Sequence, residues 1–266
     1  MEWSRDLKMY PRYWHNRLKR GFGLGAGVAY HPWLRVRDVP SIGTSGNPKG
    51  IKVSRIYHLL STPERVFFHL LDRQPNVIDI REQFPILHLN ETQSICSELG
   101  IRHTRRGPYP EPFTLDFFVT RQTPLGVVFQ ARSIKTPEHA ADPNVRLRLA
   151  VEHIWCQAHG IDWKLIDTSG FTGNLLSTLT FMRGWSVQRY IPNPEQADEF
   201  AKVFHNIYTK NLPLREIVEL CSKRLKRGYG HCLNEFRYCA WSNRIVVDLT
   251  AKLTLHLPVV LRNGRF

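Results

Sequence analysis

The sequence has no apolar run approaching the roughly 18 residues that a membrane-spanning helix needs. Behind Met1-Glu2-Trp3-Ser4-Arg5-Asp6 there is no apolar stretch of the kind that opens a secretory signal. These absences lead us to expect a soluble, cytoplasmic protein with no membrane partner. Cysteine is scarce: Cys96, Cys156, Cys221, Cys232 and Cys239 are five in number, with no Cys-x-x-Cys pair. An odd, scattered set argues against a disulfide framework and against a zinc ribbon. His231, Cys232 and Cys239 match no common zinc spacing. Acidic residues are also few, 23 against 37 lysines and arginines, which leaves a formal net charge of +14. A surface so cationic attracts polyanions, nucleic acid before acidic membrane. No internal repeat or low-complexity segment is visible, and no aromatic pair suggests an RNA-recognition sheet.

What is present is enough apolar material, 42% of 266 residues, for one large domain or two ordinary ones. Residues 1–60 interleave Arg12, Arg17, Lys19 and Arg20 with Tyr10, Tyr13, Trp14 and Phe22. They read as an arm, either contacting a DNA backbone or simply solvated. The Gly21–Gly27 run has glycines at dinucleotide-site spacings, but no strand precedes it, so it reads as a loop. Ser41 to Gly50 reads as another.

From residue 61 the pattern sharpens. Ser61-Thr62-Pro63-Glu64 is a capping-box helix start. Val77 to Leu87 reads as a strand and Asn90 to Leu99 as a short helix ended by Gly100. Phe113 to Thr120 and Gly126 to Arg132 read as a hairpin. A helix follows from Asp142-Pro143 to His159, then a strand from Ile161 to Thr168. An α/β domain over 1–169 results, with the element order of restriction-endonuclease-like nucleases. Residues 170–266 read as a smaller domain. Helices are expected near 194–209, 213–227 and 231–240, with a β-rich end from Arg244 to Val260, which suggests a winged-helix-like unit.

Phosphodiester hydrolysis needs a hard cation on oxygen ligands and a positive group to steady the developing charge. Asp116 and Gln130 sit on the two strands of the expected hairpin. Arg132, two residues beyond Gln130, shares its face. Glu64 on the preceding helix completes a candidate constellation of Glu64, Asp116, Gln130 and Arg132. Each has a plainer reading: Glu64 as capping residue, Asp116 as a solvent-facing acid, Gln130 and Arg132 as the polar face of a strand. Glu152, on the helix 143–159, is a further candidate for supporting the site, or a surface ion-pair partner of Arg148.

Several blocks, in order across residues 20 to 168, resemble the TnsA family. They are Gly21-Phe22-Gly23-Leu24-Gly25 with Pro32-Trp33, Arg37-Asp38-Val39-Pro40-Ser41, and His58-Leu59-Leu60-Ser61 followed by Glu64. Asp79-Ile80-Arg81-Glu82-Gln83-Phe84-Pro85, Leu99-Gly100-Ile101-Arg102-His103 and Thr114-Leu115-Asp116-Phe117-Phe118-Val119 continue the series. The resemblance implies a restriction-endonuclease-like catalytic domain followed by a winged-helix-like domain. It also implies magnesium- or manganese-dependent cutting of the 5′ strands at transposon ends. The implied partners are double-stranded DNA, a TnsB-like DDE transposase and a TnsC-like AAA+ ATPase. The family's acids fall on Glu64 and Asp116 and its glutamine on Gln130, all three as metal ligands; Arg102 and His103 join Arg12, Arg17, Lys19 and Arg20 as DNA-binding candidates. At the family's lysine, two residues after the glutamine, this chain has Arg132, which carries charge but will not yield a proton. Lys135 lies nearby, on the opposite face of a regular strand unless the strand ends or bulges first. Two forms follow: a working nuclease, or a cleavage-impaired DNA-binding and assembly subunit. A standalone nuclease of the same fold is the third alternative.

Overall fold

A computed structural model describes residues 1–39, 44–188 and 190–262. The expected loop at 41–50 therefore lies partly outside the described residues. The chain divides into Met1–Gly170 and Phe171–Phe266.

In the first unit, helix α1 (His15–Lys19) follows two short 3-10 turns, and α2 (Thr62–Asp72) precedes strand β1 (Val77–Pro85). Next come α3 (Leu89–Glu98), the two-residue strands β2 (Arg105–Arg106) and β3 (Tyr109–Pro110), then β4 (Thr114–Thr123) and β5 (Gly126–Ile134). Helices α4 (Pro137–Ala141) and α5 (Pro143–Ala158) lead to β6 (Asp162–Ile166). The sheet order is β1-β4-β5-β6, antiparallel except for the parallel β5–β6 pair that α5 connects. A parallel pair needs such a crossover, whereas the antiparallel β4–β5 pair needs only a tight turn. Local chemistry sets the helix starts. The Ser61 hydroxyl accepts from the Glu64 N–H, and Asp142 accepts from Asn144 and Val145 with Pro143 in the first turn.

The N-terminal segment is not a solvated arm. Trp3, Tyr10, Trp14, Leu18, Phe22, Tyr30 and Trp33 are buried in one cluster with Phe84, Phe118 and Trp155. Its polar groups cover the outer edge of β1. The Ile80 carbonyl accepts from Arg55, the Glu82 carbonyl from the Tyr30 hydroxyl, and the Gln83 carbonyl from the Trp33 N–H. A bare edge would invite pairing with another chain, and this covering closes it. Gly23 explains the glycine run. Its φ is +74°, and a Cβ there would fall 2.4 Å from the Pro85 ring. The run packs against β1 at this point.

Within Arg81-Glu82-Gln83-Phe84-Pro85 every residue is buried. Glu82 pairs with Arg55 and accepts from the His58 N–H at 3.0 Å, while Arg81 donates to the Met1 carbonyl at 2.7 Å. Gln83 carries φ +48°, a left-handed conformation that costs a non-glycine residue about 1–3 kcal/mol.

The second unit comprises α6 (Gly173–Met182), α7 (Gly184–Val187), α8 (Pro194–Ile207), α9 (Leu214–Leu225) and α10 (Tyr229–Trp241). Phe204 and Phe236 meet across α8 and α10 with ring centroids 5.3 Å apart. The β-rich end expected from Arg244 to Val260 is not a ladder. Among the described residues it makes only isolated bridges, Pro213 with Pro258 and Val247 with Leu261. Ile245, Val247, Leu253 and Val259 are buried there, so their apolar spacing serves burial without a regular ladder. Among the described residues, no helix is long and apolar enough to cross a membrane.

Candidate active site

The hairpin register decides which side chains meet. Thr123 pairs with Gly126, and each step back moves one residue along either strand through Val119–Gln130 to Phe117–Arg132. One step further brings Asp116 beside Ser133. Because strand side chains alternate between faces, Gln130 and Arg132 lie on the opposite face from Asp116.

Neither Gln130 nor Arg132 joins the constellation expected of it. Gln130 accepts from Arg121 at 2.7 Å and donates to Asp162 at 3.2 Å. Arg132 pairs with Asp162 at 2.7 Å across the β5–β6 edge. Lys135 takes the expected place. Strand β5 ends at Ile134, so Lys135 is freed from strand alternation. Its Nζ lies 2.6 Å from Asp116 Oδ2. The same carboxylate oxygen accepts from the Ile134 N–H at 2.6 Å.

Glu152 enters from α5, only 7% exposed. Its carboxylate accepts from the Ser133 hydroxyl, which in turn accepts from the Trp163 indole at 3.0 Å. It is no surface partner of Arg148. Glu64 is both things the sequence offered. Its carboxylate accepts from the Leu60 N–H and the Ser61 hydroxyl, each at 2.9 Å, as a capping residue does. It is also buried and feels the charges of Asp116 and Lys135. Gln83, strained on the neighbouring edge strand, points its amide at Glu64 Oε2, 3.4 Å away.

The electrostatics follow from three acids around one ammonium. Burial first, then the Asp116 charge, raises the Glu64 pKa. Burial likewise raises Glu152 to about 7, opposed by Lys135. Burial works against the Lys135 ammonium, but Asp116, Glu152 and Glu64 outweigh it and its pKa rises. The group is therefore charged at neutral pH.

Asp116, Lys135 and Glu152 line a cleft of about 420 Å³ whose rim includes Trp33, Arg105 and Arg106. Both arginines are exposed. Of the expected DNA-binding residues, Arg12, Lys19, Arg20 and Arg102 are exposed. Arg17 and His103 are committed elsewhere. Arg17 donates to the Trp33 carbonyl and lies over the Trp33 and Phe22 rings. Both ring nitrogens of His103 are engaged, with Thr92 and with the Thr104 carbonyl.

The clustered donors are carboxylate and hydroxyl oxygens, a set suited to a hard divalent cation and not to a thiophilic metal. The sequence reading missed Ser133, held Lys135 only as a neighbour on the other face unless the strand ended first, and missed Gln83. The signal for the first two was the two-residue Pro124-Leu125 turn, from which the register can be counted.

Two comparisons bear on this geometry. Residues 74–168 match the family described as TnsA-like endonuclease N terminal. The chain is also 35% identical over 147 residues to the transposon Tn7 transposition protein TnsA of Escherichia coli. That alignment covers 55% of this chain and 53% of the other, so the chain spans about half the length of the curated relative it matches. The mixed sheet with its flanking helices fits the restriction-endonuclease-like form of such a domain.

Proposed function

We propose, because residues 74–168 match the TnsA-like endonuclease family, that this protein is the DNA endonuclease subunit of a heteromeric transposase. In this reading it cuts the 5′ strands at transposon ends, with a TnsB-like DDE transposase cutting the other strands and a TnsC-like AAA+ ATPase regulating the pair. The observation that carries the reading is the meeting of Asp116, Glu152 and Lys135 in one cleft inside the matched segment.

Glu64 and Asp116 would hold Mg²⁺ or Mn²⁺, with Glu152 and Ser133 completing an oxygen-rich surround. Such a cation would polarise the scissile phosphate and lower the pKa of an attacking water. Lys135 supplies a fixed positive charge beside the acids. Its bonds to Asp116 Oδ2 and the Ile134 carbonyl hold the ammonium in place for a developing phosphorane charge. Being charged at neutral pH, it stabilises charge and does not take the proton from water. Gln83 and Ser61 fix the Glu64 carboxylate, and Ser133 fixes that of Glu152. Arg105 and Arg106 stand at the rim, where a DNA backbone would pass. The lysine doubted from Arg132 is supplied by Lys135, which favours a working nuclease over a cleavage-impaired subunit.

The test is strand-specific cleavage of a labelled transposon-end duplex with the DDE partner present. Lys135→Ala is expected to lower 5′-strand cleavage by about 10²–10³-fold. Cleavage unchanged in Lys135→Ala would sink the assignment. A silent wild type that still assembles on the ends would make the protein an assembly subunit.

A further inference from the structure

We propose that His88, Glu91 and His159 form a second metal site, distinct from the acidic cleft, that takes a zinc-class divalent ion. The three ligand atoms lie within 4.8 Å of one another. Glu91 stands between the two rings: Oε1 is 3.2 Å from His88 Nδ1 and Oε2 is 2.7 Å from His159 Nε2. A zinc ion with nitrogen and oxygen ligands at about 2.0–2.2 Å needs them roughly this close.

The backbone fixes all three. His88 is the residue before α3, and Glu91 is the third residue of that helix. His159 caps the C-terminus of α5, its N–H accepted by carbonyls of the last turn. A helix C-terminus favours positive charge. The rings are walled by aromatics: Trp3 meets His88 edge-on at 4.9 Å, Trp155 packs on His159 at 4.5 Å, and the two imidazoles are 4.9 Å apart.

His88 Nδ1 is buried yet has no aligned hydrogen bond, although Glu91 is near. A buried nitrogen in that state is costly unless something occupies its lone pair. Glu91 is exposed on one side, beside an open cleft of about 680 Å³ that reaches the Met1–Ser4 segment. This leaves an exchangeable fourth position, as three-ligand zinc sites do.

Two imidazoles and a carboxylate select zinc, cobalt or nickel over magnesium, which prefers oxygen alone. His159 lies seven residues beyond Glu152 on the same helical run, about 10 Å of rise. The two sites would therefore bind different metals without sharing a ligand. A bound ion would tie the C-terminus of α5 to the start of α3, beneath Trp3.

The test uses tag-free, chelator-treated full-length protein titrated with Co²⁺ in excess Mg²⁺ and followed by visible absorption. One tetrahedral-type spectrum at 1:1 stoichiometry, displaced by Zn²⁺, is expected. His159→Gln and Glu91→Gln, at partly exposed positions, should each weaken binding by more than about a hundredfold. Asp116→Asn should leave it unchanged. No spectrum, thiolate charge-transfer bands, or His159→Gln binding as tightly as wild type would each overturn the site.

Discussion

Lys135 Nζ and Asp116 Oδ2 are 2.6 Å apart, and the Ile134 N–H reaches the same oxygen. One carboxylate oxygen thus anchors both the end of β5 and the cation that follows it. Asp116→Asn should remove the charge that holds the ammonium while keeping the fold. Cleavage is expected to fall by at least about 10²-fold with the unfolding midpoint in urea little changed. A large loss of stability with proportionate activity would assign Asp116 to structure instead.

Arg132 should behave oppositely to Asp116. Arg132→Ala removes the charged partner of Asp162 across the β5–β6 edge and leaves the Gln130 amide on that carboxylate. Asp162 is 45% exposed at the side chain, so solvent screens the loss, and a cost of about 1 kcal/mol is expected. Cleavage should stay within a few-fold of wild type. Loss of cleavage in a well-folded Arg132→Ala protein would return that residue to the active site.

The metal-free protein should lose stability as pH rises. Glu152 has its pKa raised to about 7 from 4.5, so between those values the folded state holds more protons than the unfolded one. Stability from this group is then present below about 4.5 and lost as pH climbs to about 7. The loss is at most about 3 kcal/mol. Glu152→Gln should flatten the curve, and added Mg²⁺ should reverse it in wild type because cation binding favours the ionised acid. Urea melts at several pH values, with and without Mg²⁺, read this directly. An identical slope in Glu152→Gln counts against it.

Gln83 offers a separation of stability from function. Glycine accepts φ +48° without strain, so Gln83→Gly should be as stable as wild type or more so by about 1 kcal/mol. It also removes the amide facing Glu64. Cleavage should fall about tenfold, within the range that loss of an outer partner costs a metal site. A variant that is more stable and fully active would show that the amide contributes nothing.

The exposed pair Arg105 and Arg106 should act through salt. Each change to alanine is expected to weaken DNA binding across sequences and to shorten the log–log salt slope by about one. Affinity measured over a salt series decides it. An unaltered slope would move the DNA path away from this rim.

Much of the first unit was legible because its signals are local. Ser61-Thr62-Pro63-Glu64 and Asp142-Pro143 start helices by capping chemistry, and the β4 and β5 segments carry the apolar content of strands. The site was half legible. Glu64, Asp116 and Glu152 were named, but the partner strand was read by its polar residues and not by counting from its turn. That placed Gln130 and Arg132 where Ser133 and Lys135 belong. Burial of the N-terminal aromatics was not legible, because tryptophans interleaved with arginines look alike in a surface arm and in a core whose cations cap a strand edge. The terminal segment misled for a related reason: its alternating Ile245 and Val247 are buried without forming a regular ladder.

The cover that residues 3–33 and 55–58 lay over β1 has a practical meaning for the boundaries of the first unit. The recognised family segment begins at residue 74, yet Trp14, Tyr30, Trp33 and Tyr57 fill its interior. A fragment cut to the recognised segment would lose these plugs and bare both the apolar face behind Phe84 and an unprotected strand edge. Such a piece is a candidate for self-association, not a minimal nuclease. The folding unit here is the longer stretch, in which residues distant in sequence from the acids complete the core on which those acids stand.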